Sequence, residues 1–158
     1  MNTTAVYPGT FDPFTNGHLD IVKRARVMFS HVIVAVTHNP EKQSMFSVFE
    51  RVSMIQQALS SLSNVTVEQF DGLLVTYVHK SHARIIVRGL RAISDFEYEF
   101  QMALMNRKLC GQIETVFLMP DEKYTYLSSS LVKEIARLGG DIAELVPRDI
   151  HEQIRMKK

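Results

Sequence analysis

The side chains best equipped for chemistry in this sequence are ones that hold anionic oxygens. The stretch AVYPGTFDPFTNGHLDIV, residues 5–22, runs from an apolar segment through Gly9, Thr10 and Gly17 to His18, where an apolar-periodic helix begins. Glycines let a ligand approach the main chain closely. A helix start offers free N–H groups and the positive end of a dipole, a ready anion site, and a histidine there can donate a ring N–H to a phosphate oxygen. A capped turn holding a satisfied histidine accounts for the same residues equally well. Lys42, taken alone, reads as a solvated loop lysine. Arg88 closes a strongly apolar run and Arg91 stands three residues later. Guanidinium forks match phosphate oxygens in pairs, yet two loop arginines serve structural roles as readily. Ser128, Ser129 and Ser130 precede an amphipathic segment. One serine is an ordinary helix cap; three together form a donor cluster suited to another phosphate.

Other chemistries lack their residues. GTFDPF carries neither GxGxxG nor GK[ST], so it is not a dinucleotide or P-loop fingerprint. The remaining histidines, His31, His38, His79, His82 and His151, form no HExxH pattern. His79 and His82 could share a helical face, but a third ligand is missing, and no metal site is expected. No serine stands in a GxSxG elbow, and Cys110, the lone cysteine, has no resolving partner.

Short apolar runs must position these groups. TAVYP, HVIVAVTH, NVTVEQF, RIIVRG and IETVFLMP read as strands, and their continuous Val/Ile content suits strands covered on both faces. Between them, Leu19, Val22, Ala25 and Phe29 recur at helical spacing. Ser47-Val48-Phe49-Glu50 has the capping-box pattern, with Val52, Ile55, Ala58 and Leu59 next along one side. Ser94-Asp95-Phe96-Glu97 is expected to open the next long helix in the same way. SSLVKEIARLGG ends a helix in glycines, and Pro147 suits the first turn of a last helix from about residue 147. In the helix 95–109, Phe96, Phe100 and Ala103 fall along one face and Tyr98, Met102, Met105 and Leu109 along another. Core packing is the first reading of that surface and a subunit interface the second. Glu99 lies between the stripes.

Five strands alternating with helices predict an α/β fold, an open parallel five-stranded sheet with helices on both faces, in one domain spanning residues 1–158. Ligands of such sheets bind beyond the carboxyl ends of the strands. In this sequence those ends lead into Gly9-Thr10, Asn39-Pro40-Glu41-Lys42, FDGLL, RGLRA and PDEKYTYLSSS. Four of the five carry hydroxyls, glycines or cations suited to anionic oxygens, whereas SLSN and KSHA at the opposite ends look like plain turns.

Composition narrows the partners. A formal net charge of +1 leaves no broad basic face for nucleic acid, so anion binding must be local. With 46% hydrophobic and 22% charged residues the chain matches ordinary globular proteins rather than disordered ones. Its 158 residues suffice to bury roughly 70% of the unfolded surface. VIVAV, the longest strictly apolar run, is far short of a membrane span. A single cysteine and an N-terminus without a basic region or long apolar run fit a cytoplasmic location.

Thr15-Asn16-Gly17-His18 resembles the (T/H)xGH signature of nucleotidyltransferases, and RGLRAISDFEYEFQMALMNR and YLSSSLVKE resemble later motifs of the bacterial phosphopantetheine adenylyltransferases. The likeness runs from about residue 5 to residue 147. It implies a Rossmann-like domain, commonly a homohexamer, that joins ATP and 4′-phosphopantetheine with Mg²⁺ to give dephospho-coenzyme A and pyrophosphate, by direct in-line attack of the acceptor phosphate on the α-phosphate. By the same resemblance Thr10, His18 and Lys42 would be catalytic, with His18 the main transition-state stabiliser. Thr10, Lys42, Leu74 and Arg88 would bind the acceptor. ATP would be held by Thr10, Phe11, His18, Gly89, Leu90, Arg91 and Glu99, with Tyr124, Thr125, Tyr126, Leu127, Ser128, Ser129 and Ser130. The loop NPEKQSMF keeps Lys42 but has no proline at Ser44, and YTYLSSS has no tryptophan before its serines. The signature alone leaves nicotinamide-nucleotide adenylyltransferases and cytidylyltransferases open; RGLRA with DFEYE points to the pantetheine branch. A nucleotide-sensing module and a flavodoxin-like carrier are the competing classes. The first usually lacks a catalytic donor, and the second needs a phosphate loop that this sequence does not have.

Overall fold

The structure, a computed structural model, describes residues 3–38, 43–91 and 93–157, the side chains of 93–95 excepted. Strands β1 (Thr4–Gly9), β2 (His31–Thr37), β3 (Val65–Phe70), β4 (Ile85–Gly89) and β5 (Glu114–Leu118) form one parallel sheet in the order β3-β2-β1-β4-β5. The chain first winds outward from β1 through β2 to β3, then returns to the other side of β1 for β4 and β5. The winding therefore reverses between β1 and β4.

Alternation along each strand sends side chains to two cores. Ala5, Tyr7, Val32, Val34 and Val36 pack with helices α1 (Asn16–Met28), α2 (Val48–Ala58), α5 (Ser129–Arg137) and α6 (Arg148–Met156). Val6, Ile33, Ala35 and Ile86 pack on the opposite face with α3 (Leu74–Lys80) and Cys110, the residue after α4 (Ile93–Leu109). Ser47 caps α2 in a reciprocal box with Glu50, as expected. Gly139, at φ +82°, lies two residues beyond the end of α5, in the left-handed region a helix end favours.

Several expectations need correction. The strands are not all covered on both faces: β3 and β5 are sheet edges, and Thr66, Glu68 and Gln69 of β3 are at least partly open to solvent. Helix α3 lies between β3 and β4, where the alternation called for a helix but no bounds were read for it. It is seven residues long, carries β-branched Val75, Thr76 and Val78, and has no side-chain cap, so propensity gave it little signal. His82 lies beyond α3 at φ +53° and does not share a helical face with His79. Helix α4 already includes Ile93, so Ser94 is not its cap; a serine is tolerated inside a helix once neighbouring turns propagate through it. Pro147 is the N-cap of α6 rather than a first-turn residue. Core packing also fails for α4, where Phe96, Tyr98, Phe100, Met105 and Leu109 lie 47–63% exposed.

Candidate active site

The β1–β4 ladder pairs only Ala5 with Ile85 and Val6 with Ile86, whereas β1–β2 continues to Gly9 and Val36. Pro8 has no N–H to extend the ladder. The carboxyl halves of β1 and β4 thus separate at the point where the winding reverses, which is where open α/β sheets hold ligands. Two cavities meet there, of about 280 and 370 Å³, and share Pro8, Gly9, Thr10, Arg88 and Glu99 in their walls.

His18 stands in the wall of the first cavity. Thr15 caps α1 by accepting the His18 N–H at 3.3 Å, and the His18 ring answers as the third helical residue: its Nδ1 accepts the Thr15 backbone N–H at 3.0 Å. A backbone amide can only donate, so Nδ1 carries the lone pair and the proton sits on Nε2. The ring lies against Phe11, edge-on at 5.1 Å, and Phe14 at 5.5 Å. Burial, reinforced by the Arg91 and Arg88 charges, pulls its pKa down to about 3. His18 is therefore a neutral, oriented N–H donor at physiological pH. Gly9 is required beside it, because an added Cβ would lie 2.7 Å from Cζ of the buried Phe11 ring.

Arg88 fills the gap between the strands. Its Nη1 donates to the Pro8 carbonyl at 2.8 Å, while Nε (2.7 Å) and Nη2 donate to the two carboxylate oxygens of Glu99 on α4. Glu99 is buried, so this bidentate pair fixes the guanidinium plane. Burial alone would lower the pKa of Arg88; the Glu99 carboxylate outweighs that and holds it above the ordinary arginine value.

Two polar residues that the sequence reading did not single out underlie the site. Asp12 is buried and accepts the backbone N–H groups of Met45 (2.8 Å) and Phe46 (2.9 Å) and Nζ of Lys133 (3.0 Å). Arg51, fully buried on α2, donates through Nη1 to the carbonyls of Thr10 and Thr37 and through Nε to that of Phe46. The signal for Arg51 was present: it falls at the core-stripe spacing of Met54, Ile55 and Ala58, where a charge is out of place. Asp12 lies in a loop and had no periodicity to betray it.

The other expected residues fall into place unevenly. Thr10, Phe11, Gly89, Arg91, Glu99, Leu127, Ser128, Ser129 and Ser130 all line the first cavity. Ser128 caps α5, accepting the Leu131 N–H; Ser129 donates to the Pro13 carbonyl, and Arg91 donates to that of Leu127. Leu74, the first residue of α3, lines the second cavity beside Thr10 and Arg88. Leu90, Tyr124, Thr125 and Tyr126 line neither, and Tyr126 is 85% exposed. Lys42 lies outside the described residues, as do Asn39, Pro40 and Glu41.

Three cations, Arg88, Arg91 and Lys133, line the first cavity with two carboxylates, Asp12 and Glu99, each already paired. Among the described residues no three His, Cys, Asp or Glu side chains converge as metal ligands. Nor is any helix there long and apolar enough to cross a membrane. The crevice is built to receive negatively charged oxygens.

Comparison with known proteins agrees with this chemistry. The family model described as cytidylyltransferase-like matches residues 6–135. A phosphopantetheine adenylyltransferase from Alkaliphilus metalliredigens (strain QYMF) is 54% identical over 152 residues, covering 96% of this chain and 97% of the relative. One from Alkaliphilus oremlandii (strain OhILAs) is 55% identical over 150 residues, covering 95% and 96%. Among solved structures, a nicotinate-nucleotide adenylyltransferase, so described, from Vibrio parahaemolyticus superposes with a TM-score of 0.73 at 16% identity, over 98% of this chain and 99% of that one. A bifunctional NMN adenylyltransferase/ADP-ribose pyrophosphatase from Francisella tularensis, complexed with AMP and a manganese ion, gives 0.74 at 16% identity, over 99% of this chain and 49% of that one. At such identity these two speak for the fold alone. With sequence relatives matched over nearly their whole length, the chain belongs to the cytidylyltransferase-like family and, within it, to the phosphopantetheine adenylyltransferases.

Proposed function

We propose that this enzyme transfers the adenylyl group of ATP to 4′-phosphopantetheine, forming dephospho-coenzyme A and pyrophosphate in coenzyme A synthesis. The near-full-length relatives supply the identity of the acceptor. The observation that carries the mechanism is the proton-fixed His18, gathered with Thr10 and Arg88 in the crevice between β1 and β4.

The acceptor phosphate is already an anion, so no base is needed to generate the nucleophile. One of its oxygens bonds to the α-phosphorus of ATP while the bond to the bridging oxygen breaks, and pyrophosphate leaves opposite. Nε2–H of His18 and the Thr10 hydroxyl donate to the oxygens on which charge builds, Lys42 binds the acceptor phosphate, and Arg88 holds the acceptor. Such transfers depend mostly on positioning and electrostatic stabilisation. The first cavity takes ATP, with Phe11, Gly89, Arg91, Glu99 and the residues from Leu127 to Ser130 in its wall, while Leu90 and the residues from Tyr124 to Tyr126 would reach the nucleotide only from outside that wall. The second, whose wall includes Phe70, Leu74, Met102 and Asn106, suits the mixed apolar and amide character of a pantetheine arm.

Mg²⁺, bound to the nucleotide, would supply charge that offsets part of the triphosphate's own. The donor set supports this form of metal use: with Asp12 and Glu99 engaged, phosphate oxygens and water are left as the ligands Mg²⁺ favours. The manganese ion of the Francisella tularensis protein is in keeping with divalent-metal use. The whole chain acts as one domain, in the cytoplasm. It assembles as a homohexamer, for which the exposed apolar residues of α4 supply a contact surface. Incubation with MgATP and each of 4′-phosphopantetheine, nicotinamide mononucleotide and a sugar phosphate, scored by pyrophosphate release, tests the reading. Release with 4′-phosphopantetheine alone is expected; preference for another acceptor would overturn it.

A further inference from the structure

We propose that Lys133, acting through Asp12, is a positioning residue that ties the ATP side of the cavity to the chain segment leading from Lys42. Lys133 lies on α5, one turn beyond the serines at its N-terminus, and its Nζ is 3.0 Å from Oδ2 of Asp12. That carboxylate belongs to the loop after β1 that also carries Thr10 and Phe11. Its oxygens accept the N–H groups of Met45 and Phe46, three and four residues past Lys42 in the chain. The Phe46 carbonyl is held in turn by Arg51, which also holds the Thr10 carbonyl. One buried carboxylate thereby joins α5, the β1 loop and residues 45 and 46, and Arg51 closes the circuit back to Thr10. Ser44, immediately before the clamped amides, lines the first cavity with Lys133, Asp12, Ser129 and Ser130.

The chemistry of the pair argues for positioning. The Asp12 side chain is 4% exposed and that of Lys133 27%, so a buried carboxylate is paired with an ammonium that reaches it from the cavity wall. Without Lys133 the buried carboxylate keeps two amide donors but loses its direct ion-pair partner, which destabilises the arrangement that holds residues 45 and 46. Residues 45 and 46, and through Arg51 the Thr10 carbonyl, must then be held in place at the expense of acceptor binding. A lysine that contacted the triphosphate directly would behave differently, because its loss would weaken ATP binding whatever stood at position 12.

The inference rests on the adenylyl-transfer reading, and the test separates the two. Steady-state kinetics in both substrates are measured for the wild type, Lys133→Met, Lys133→Arg, Asp12→Asn and the double variant Asp12→Asn/Lys133→Met, well below each melting temperature. Lys133→Gln replaces Lys133→Met should the latter not fold. Lys133→Met is expected to raise KM for 4′-phosphopantetheine by about tenfold while leaving KM for ATP within about threefold. Lys133→Arg should restore most of the loss. The double variant should be no worse than Asp12→Asn to within about twofold, the mark of two residues acting as one unit. Losses that multiply in the double variant, a rise confined to KM for ATP, or unchanged kinetics in Lys133→Met would each overturn the proposal. A wild-type enzyme that makes no dephospho-coenzyme A would instead overturn the reaction assignment.

Discussion

Because the Thr15 amide can only donate, the tautomer of His18 is set by its hydrogen bond, and its charge state by burial among Phe11, Phe14 and the two arginines. The same burial has a thermodynamic consequence. An unfolded histidine titrates near 6.5, and this one is held down to about 3 in the folded state. Between those values the unfolded chain binds the extra proton, so stability is complete above about pH 6.5 and falls as the pH is lowered toward 3. His18→Gln removes that dependence. Urea denaturation across pH 7 to 4 should show the wild type losing stability more steeply than the variant, by at most about 1.4 kcal/mol per pH unit. Parallel curves would mean that His18 titrates normally. The residue scale also explains what was legible. Thr10, His18, Arg88 and the serines stood out by type and by their place after apolar runs, whereas Asp12 and Lys133 look like ordinary surface charges until the fold brings them together.

At the scale of elements, strands and helices were readable where periodicity and caps agreed. The apolar runs of β1, β2 and β4, the Ser47–Glu50 box and the glycines after α5 each stood out against their surroundings. Readings failed where a single weak signal had to decide. Helix α3 is short and rich in β-branched residues, and the Ser94 box lies inside α4 rather than at its start. The reach of α4 to the site was half visible: Glu99 sat oddly between apolar stripes, but only the fold puts its carboxylate against Arg88. That contact makes α4 a support for the crevice. Glu99→Gln should lower kcat/KM for the acceptor by about tenfold, since a neutral amide cannot hold a guanidinium fork in the same way. An unchanged value would show that the Pro8 carbonyl alone keeps Arg88 in place.

Across the whole molecule, the sheet order was not written in the sequence, because strand order depends on long-range pairing that local patterns do not encode. The crevice could still be anticipated, since the ligand rule for open α/β sheets needs only the strand ends. The misread apolar face of α4 belongs to this scale too: its residues are spaced like core residues but find no core within one chain. The proposed homohexamer, assembled through that face, would appear by light scattering as a species six times the 18.1 kDa chain mass, dissociated by Phe100→Glu with Met105→Glu. A wild-type monomer would refute it. The measurement that bears most directly on the account is the turnover of His18→Ala with MgATP and 4′-phosphopantetheine, alongside its ATP affinity. Loss of one oriented donor to developing charge predicts a kcat reduced by roughly 10²–10³, with ATP binding within about tenfold of wild type. Turnover near the wild-type rate would contradict it.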